Sequence, residues 1–123
     1  MVCDTNILIY AAEPGDVVCA PFVESPDAII ASVTRIELLG FPGFGQLAPE
    51  RQARLREIVA TTVEAPLDDG IIRRAILLRQ QQKMSLGDSI IAATALEFDV
   101  PLITRNTGDF KHIAGLQLIN PFQ

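Results

Sequence analysis

The chain has 123 residues, of which 49% are hydrophobic, and this is enough apolar material for the core of one compact domain. Ten Lys and Arg residues oppose fifteen Asp and Glu residues, and the formal net charge is -5. A protein that holds nucleic acid by bulk electrostatics is normally basic, so the composition argues against a passive nucleic-acid binder. It argues less against an enzyme whose carboxylates are neutralised by divalent cations.

No linker, charge block, low-complexity tract or internal repeat divides the chain, so we expect a single domain over residues 1–123. The first residues lack a basic region, and no stretch reaches the roughly 20 apolar residues that cross a bilayer. We therefore expect a soluble, cytoplasmic protein without membrane contact. Cys3 and Cys19 lack CxxC spacing, and we expect two free thiols.

The first half of the chain predicts two strands and three helices. Residues 1–4 form a strand that runs into a turn, and residues 5–12 a short helix. Residues 13–27 contain three prolines and predict an irregular connection with one helical turn. A buried strand follows at 28–32 and a helix at 33–39, which the Gly-rich run 40–45 ends. Pro49 suits the first position of a helix that reaches about residue 60, with apolar Leu55, Ile58 and Val59.

The second half continues the alternation of strands and helices. Residues 62–65 predict a strand, and Asp68 or Asp69 caps a helix to about residue 82. Its inward positions would be Ile71, Ile72, Ala75, Ile76 and Leu78. A helix over 85–98 and strands at 101–104 and 116–119 complete the chain. Short apolar strands alternating with amphipathic helices are typical of a parallel sheet covered on both faces, so we predict a three-layer α/β/α fold with a mainly parallel sheet.

Four acidic residues fall where such a sheet would gather them. Asp4 follows the first strand, Glu37 lies one turn into the helix after the second, Asp88 opens a helix, and Asp109 follows strand 101–104. Ligands bind open parallel sheets at the carboxyl ends of the strands, so all four can reach one edge. Converging carboxylates repel one another, and a Mg²⁺ or Mn²⁺ ion would remove the conflict. The pattern therefore predicts a cation site.

Each acid also has a purely structural interpretation. Asp4 would cap the helix that begins at Thr5. The spacings Thr34 to Glu37 and Ser85 to Asp88 both fit a capping box, and Asp109 would suit an ordinary turn. Capping and metal binding are compatible, and the joint placement of the four acids at one edge favours the second role.

Three other phosphate chemistries fit the residues poorly. An aspartyl phosphatase needs a second acid two places after the first, where this chain has Asn6. A phosphate-receiving signalling domain needs a Lys at the end of a late strand, where Arg105 stands. A metal-independent ribonuclease normally uses paired histidines, and His112 is the only one.

Four segments carry a resemblance to a known family. DTNILIY at 4–10, SVTRIELLGFPG at 32–43, LGDSIIAATAL at 86–96 and LITRNTGDF at 102–110 resemble, in this order, the signature segments of PIN domains, and in particular VapC-type toxins. The resemblance implies a Mg²⁺- or Mn²⁺-dependent endoribonuclease, a homodimer, and control by a small VapB-type antitoxin. It implies metal binding by Asp4, Glu37 and Asp88, with a fourth position at Asp109 or at Asn106, where the family often has Asp.

Polar residues beside the acids are candidate accessories. Thr5, Asn6, Thr104 and Asn106 would orient a carboxylate or a metal-bound water, or simply form caps and turns. Asn6, Thr104 and Asn106 are also candidate substrate contacts, together with Arg105, our preferred contact for an RNA phosphate. The basic faces of the helices at 49–60 and 68–82 would touch RNA or merely be solvated.

Three questions stay open at this point. The apolar run Phe41, Pro42, Phe44 and Leu47 is expected at or near an interface, for dimerisation or for an antitoxin segment, with core closure as the alternative. The nuclease would be a toxin, or an RNA-processing enzyme that acts without an antitoxin. A non-catalytic PIN-like module that only binds partners or RNA is the non-enzymatic alternative.

Overall fold

A computed structural model describes all 123 residues. Its five strands are β1 (Val2–Cys3), β2 (Ile29–Ala31), β3 (Val63–Ala65), β4 (Leu102–Ile103) and β5 (Leu118–Ile119). They form one sheet in the order β3-β2-β1-β4-β5, and every neighbouring pair is parallel. The predicted α/β class with a parallel sheet is confirmed.

Seven helices connect and cover the strands. They are α1 (Thr5–Ala11), α2 (Ala20–Val23), α3 (Ser32–Leu39), α4 (Pro49–Thr61), α5 (Asp69–Gln81), α6 (Leu86–Phe98) and α7 (Thr107–Phe110), and a 3-10 turn spans Phe44–Gln46. The elements predicted from the sequence are confirmed to within two residues at each end. The short helix α7 was not predicted, because four residues are too few to show a helical period.

Alternating residues of the strands build a separate core on each face of the sheet. Cys3, Ile30 and Ile103 face the helices α1, α2 and α4, whereas Val2, Ala31 and Leu102 face α5, α6 and α7. All six are fully buried. This period of two produces the three layers that the sequence predicted. Cys3 and Cys19 are both buried free thiols, as expected.

The prediction for the buried face of α5 was wrong at two positions. Ile71, Ala75 and Leu78 are buried, but Ile72 is 40% exposed and Ile76 is 52% exposed. Each of these two isoleucines follows a buried residue and is therefore turned about 100° away from the buried stripe of α5. An apolar residue beside the buried stripe of a helix need not itself be buried.

The run from Phe41 to Leu47 closes the core at two of its residues. Phe44 is buried among the residues of the α1, α2 and α4 face, and Leu47 packs against the same cluster. Core closure, the alternative interpretation, therefore holds for Phe44, whereas Phe41 and Pro42 are exposed and an interface at this region stays a prediction. None of the helices combines the length and the apolar character that crossing a bilayer requires.

Candidate active site

The site lies where the strand order reverses. From β1 the chain builds β2 and β3 on one side of the sheet and β4 and β5 on the other, so β1 and β4 flank the topological switch point. Asp4 follows β1 and Thr104 follows β4, and the Thr104 hydroxyl donates a hydrogen bond to Asp4 Oδ2 at 2.9 Å. Crevices at such switch points are the usual ligand sites of open parallel sheets.

Asp4 is a buried carboxylate at the bottom of this crevice, with 5% of its surface exposed. Its Oδ1 accepts the Thr5 amide at 2.8 Å, so Asp4 is also the N-cap of α1. Burial raises the pKa of Asp4 to about 6, and the carboxylates of Asp88 and Glu37 add to the rise, while hydrogen bonds from Thr104 and Thr5 oppose it. Ionising Asp4 therefore costs more free energy in the fold than in a solvated side chain, and an approaching positive charge would offset that cost.

Glu37 reaches the crevice from the middle of α3. The Thr5 hydroxyl donates to Glu37 Oε1 at 2.7 Å and lies 3.1 Å from the hydroxyl of buried Thr34. Helix α3 begins at Ser32 and its N-cap is Ala31, so the expected capping box from Thr34 to Glu37 is wrong. Both residues lie inside the helix, and Glu37 has no capping role.

Asp88 lies in the first turn of α6. Here the capping interaction exists: Ser85 is the N-cap, and its hydroxyl accepts the backbone amide of Asp88 at 3.1 Å. Burial raises the pKa of the Asp88 carboxyl, Ser85 opposes the rise, and the carboxylates of Asp109 and Glu37 reinforce it. Asp109 and Glu37 therefore lie close enough to Asp88 for their charges to affect its pKa.

Gly87 is a site residue that sequence reasoning missed. A Cβ atom at this position would lie 2.8 Å from Glu37 Oε2, which is closer than real Cβ contacts allow. A larger residue here would force the end of the Glu37 side chain to shift, so glycine leaves the Glu37 carboxylate in place beside the first turn of α6. The only signal in the sequence was the glycine directly before the acid.

A pocket of about 370 Å³ collects the four predicted acids. Its lining consists of Asp4, Glu37, Asp88 and Asp109 together with Thr5, Asn6, Ile9, Phe41 and Asn106. Asp109 lies in the first turn of α7, and its amide donates to the carbonyl of Asn106, the N-cap residue of that helix, at 3.0 Å. Both candidates for the fourth acidic position therefore reach the pocket.

Comparison with known proteins agrees with this geometry. The PIN domain family matches residues 1–116 of the chain. The chain belongs to the PIN-domain family. A toxin-antitoxin complex from Klebsiella pneumoniae contains a chain with 32% sequence identity and a TM-score of 0.79, and the match covers 99% of this chain and 98% of that one.

Two more distant solved structures share the fold. VapBC2 from Rickettsia felis, bound to a DNA fragment from its promoter, matches with 21% identity and a TM-score of 0.80, covering 97% of this chain and 96% of that one. VapBC-1 from nontypeable Haemophilus influenzae matches with 24% identity and a TM-score of 0.76, covering 99% and 98%. Comparison with curated protein sequences gave no match.

Two of the predicted accessory residues of this PIN domain lie outside the pocket. Thr104 was expected to touch a substrate, but it is fully buried and cannot do so. Its hydroxyl instead donates a hydrogen bond to Asp4 and accepts one from the Asn106 amide at 3.0 Å. The Arg105 guanidinium lies 4.4 Å from the centroid of the Phe122 ring, and its Nη1 donates to the Tyr10 hydroxyl at 3.3 Å. Arg105 is exposed beside the pocket-lining Asn106 and is not part of the lining.

The donor set of the PIN-domain pocket fits a hard divalent cation in its chemistry. Its four acids supply only oxygen donors, which Mg²⁺ and Mn²⁺ prefer, and no thiol or imidazole lines it. No three acidic, histidine or cysteine side chains lie close enough together to form a ready metal cluster. An approaching cation would relieve the cost of ionising Asp4, so the carboxylates have a reason to draw together around it.

The basic residues of α4 and α5 mostly form ion pairs on the outside of the PIN domain. Arg51 pairs with Glu13, Arg54 with Glu24 and Glu57, Arg73 with Asp69, and Arg74 with Glu97. These pairs favour the solvated-face interpretation of the two helices over an RNA-binding one.

Proposed function

We propose that this PIN domain is a Mg²⁺- or Mn²⁺-dependent endoribonuclease and the toxin of a VapBC-type toxin-antitoxin pair. The observation that carries the proposal is the meeting of Asp4, Glu37, Asp88 and Asp109 in one pocket at the switch point of the sheet. None of these acids forms an ion pair with a Lys or Arg of the chain, which leaves the pocket free to take up a cation from solution.

The four acids would hold the metal, and the hydroxyl groups behind them would fix their directions. A bound metal would lower the pKa of a water molecule and offset the developing charge on a phosphodiester. Thr104 holds Asp4, while Thr5 holds both Asp4 and Glu37 through its amide and its hydroxyl. Such supporting contacts keep ligands in the geometry that binding requires.

Two exposed amides at the rim are suited to bind the substrate. Asn6 and Asn106 both line the pocket and are both exposed. Amide N–H groups donate hydrogen bonds to phosphate oxygens without adding charge. They would therefore hold the backbone of an RNA strand against the carboxylates once the metal has neutralised the pocket.

The proposed partners are an antitoxin and a second copy of the chain. The similarity to a chain of the Klebsiella pneumoniae toxin-antitoxin complex, at 32% identity over nearly the full length, supports an antitoxin partner. An adjacent antitoxin gene and co-purification of its product would agree with the toxin assignment. Without both, an RNA-processing nuclease becomes the better description. The mass of the free protein in solution tests the proposed homodimer.

The activity itself is tested by incubating the purified protein with total RNA and Mg²⁺ or Mn²⁺ and mapping the cut ends. With a metal-activated water as nucleophile, the RNA 2′-hydroxyl need not attack, so the products should carry 5′-phosphate and 3′-hydroxyl ends. Cleavage should stop in excess chelator. Cleavage that persists in chelator, or 2′,3′-cyclic phosphate ends, would rule out this mechanism.

A further inference from the structure

An aromatic ring stands at the acidic pocket without any role in holding a metal. Phe41 lines the pocket together with the four carboxylates, and 36% of its surface is exposed. Its only apolar companion in the lining is Ile9. The rest of the pocket is acidic or polar, so Phe41 supplies the one aromatic surface of the lining.

The ring of Phe41 is held in a fixed position from behind. It packs edge-to-face on Phe44, with ring centroids 5.9 Å apart and an interplanar angle of 82°. Phe44 is itself buried, and the guanidinium of Arg56 lies 5.0 Å from its ring centroid. A Cβ atom at Gly43 would lie 3.2 Å from the Phe41 ring, so glycine leaves just enough room for it. Phe41 is therefore a rigid aromatic surface with one side open.

The chemistry of RNA suggests what would occupy that open side. Phosphate groups are repelled by the carboxylates except where a cation intervenes, whereas the bases are uncharged and present flat aromatic faces. Unpaired bases of RNA are commonly stacked on aromatic side chains, and such stacking tolerates any base because each has a π-face. A single fixed ring in a small pocket matches one base better than it matches the long apolar face of a protein segment.

We infer that Phe41 stacks against the base of a nucleotide next to the phosphodiester held over Asp4, Glu37, Asp88 and Asp109. This inference rests on the proposed nuclease function and adds a positioning residue to it. Stacking requires the base to leave a duplex, so the enzyme should select unpaired over paired RNA. It should select weakly among the four bases, since the ring itself offers no hydrogen bonds.

Steady-state kinetics on a short single-stranded RNA tests the role of the ring. Phe41→Leu should raise KM by about tenfold with little change in kcat, because it keeps the apolar bulk and loses the flat face. Phe41→Tyr should restore the KM of the wild type. Phe98→Leu is the matched control: Phe98 is also exposed, at 47%, but lies ten residues beyond Asp88 on α6, about 15 Å along the helix.

A direct binding signal is available because the chain has no tryptophan. In the Phe41→Trp variant, single-stranded RNA should quench the tryptophan fluorescence, and the same sequence as a duplex should leave it unchanged. The inference is overturned if single-stranded RNA does not change the tryptophan fluorescence, or if Phe41→Leu has the KM of the wild type. Should Phe41→Leu instead weaken only inhibition by the cognate antitoxin, the ring is a protein contact and the stacking role fails.

The two proposals can fail separately. If the wild type cleaves RNA but Phe41→Leu cleaves it equally well, the nuclease function stands and the stacking role falls. If the wild type cleaves no RNA with either metal, the nuclease function falls, whereas quenching of the Phe41→Trp variant by single-stranded RNA would still report a base at the ring.

Discussion

The acids that pair with arginines at the surface of the domain and the acids at the carboxyl edge of the sheet have opposite surroundings. On the outside, Glu13, Glu64 and Glu97 are each paired with an arginine, and the hydrogen bond from Arg51 lowers the pKa of Glu13. At the edge, burial raises the pKa of both Asp4 and Asp88, and no arginine or lysine pairs with them. The chain thus places these arginines away from the pocket, so the proposed cation would supply the charge that balances the pocket acids.

The largest expected effect comes from neutralising one pocket acid. Asp88→Asn should lower RNA cleavage by at least about 100-fold, because it removes one of the carboxylates proposed to hold the catalytic metal. Asp69→Asn is the matched control, since Asp69 also lies in the first turn of a helix but pairs with Arg73 on the surface. It should leave cleavage unchanged. The test compares the initial rates of RNA cleavage by both variants in Mn²⁺.

Near-normal activity of Asp88→Asn together with lower stability would mean that Ser85 and Asp88 form only a helix cap. The proposed active site would then have to be given up. Asp109→Asn should cause a smaller loss than Asp88→Asn if Asn106, which lines the same pocket, shares its role.

The second effect is on stability and depends on pH. Because the pKa of Asp4 is about 6 in the fold and near 4 in an unfolded chain, the folded state binds the proton more tightly. This stabilising contribution is complete below about pH 4 and is lost as the pH rises through 6. Relative to Asp4→Asn, the metal-free wild type should therefore lose on the order of 2–3 kcal/mol of unfolding free energy between pH 4 and 8.

Denaturant unfolding of both proteins in chelator at several pH values measures this difference. Added Mn²⁺ at pH 8 should stabilise the wild type and have less effect on the variant, since ligand binding to the folded state shifts the equilibrium. Stability curves that run parallel from pH 4 to 8 would show that Asp4 titrates as an ordinary surface acid.

A smaller effect is expected from the hydroxyl behind Asp4. Thr104→Val keeps the shape of a fully buried side chain but removes the donor to Asp4, and cleavage should fall by about tenfold. Thr94→Val is the control, because Thr94 is also buried but its hydroxyl donates to the Ile90 carbonyl within α6. Equal losses of activity in the two variants would point to a general packing defect instead of a role for Thr104 in holding Asp4.

The smallest effect should come from Arg105, which lies beside the pocket and packs on Phe122. If it contacts an RNA phosphate, Arg105→Ala should weaken RNA binding a few-fold and reduce the salt dependence of binding by about one ion. Arg35→Ala, which removes an exposed arginine paired with Glu64, should leave the salt dependence unchanged. If Arg105→Ala leaves the salt dependence of RNA binding unchanged, Arg105 does not contact a phosphate and only packs against the C-terminal segment.

The sequence predicted the strands and long helices well because their residues repeat with clear periods. The apolar run Ala28 to Ala31 and the buried stripe of α5 are local signals, and both are present in the fold. The exposed Ile72 and Ile76 show the limit of such signals. Periodicity indicates a helix, but the packing of α5 against α6 decides which of its apolar residues are covered.

The acids of the site were predictable because parallel strands bring their carboxyl ends to one edge. Their supports were not predictable, since they depend on contacts between residues distant in the chain. Thr104 and Asp4 are a hundred residues apart, and the fit of Gly87 beside Glu37 follows from the approach of α6 to α3. The sequence likewise did not show that Thr34 lies within α3 and not at its start, because this depends on the residue at which α3 begins.

Calorimetric titration with Mn²⁺ at pH 8 tests the central claim most directly. The wild type, Asp4→Asn, Asp88→Asn and the surface control Asp69→Asn would be compared under the same conditions. We expect the wild type and Asp69→Asn to bind Mn²⁺ alike and the two pocket variants to lose most of that binding, because the pocket acids converge without an arginine to balance them. Equal binding of Mn²⁺ by all four proteins would contradict the account.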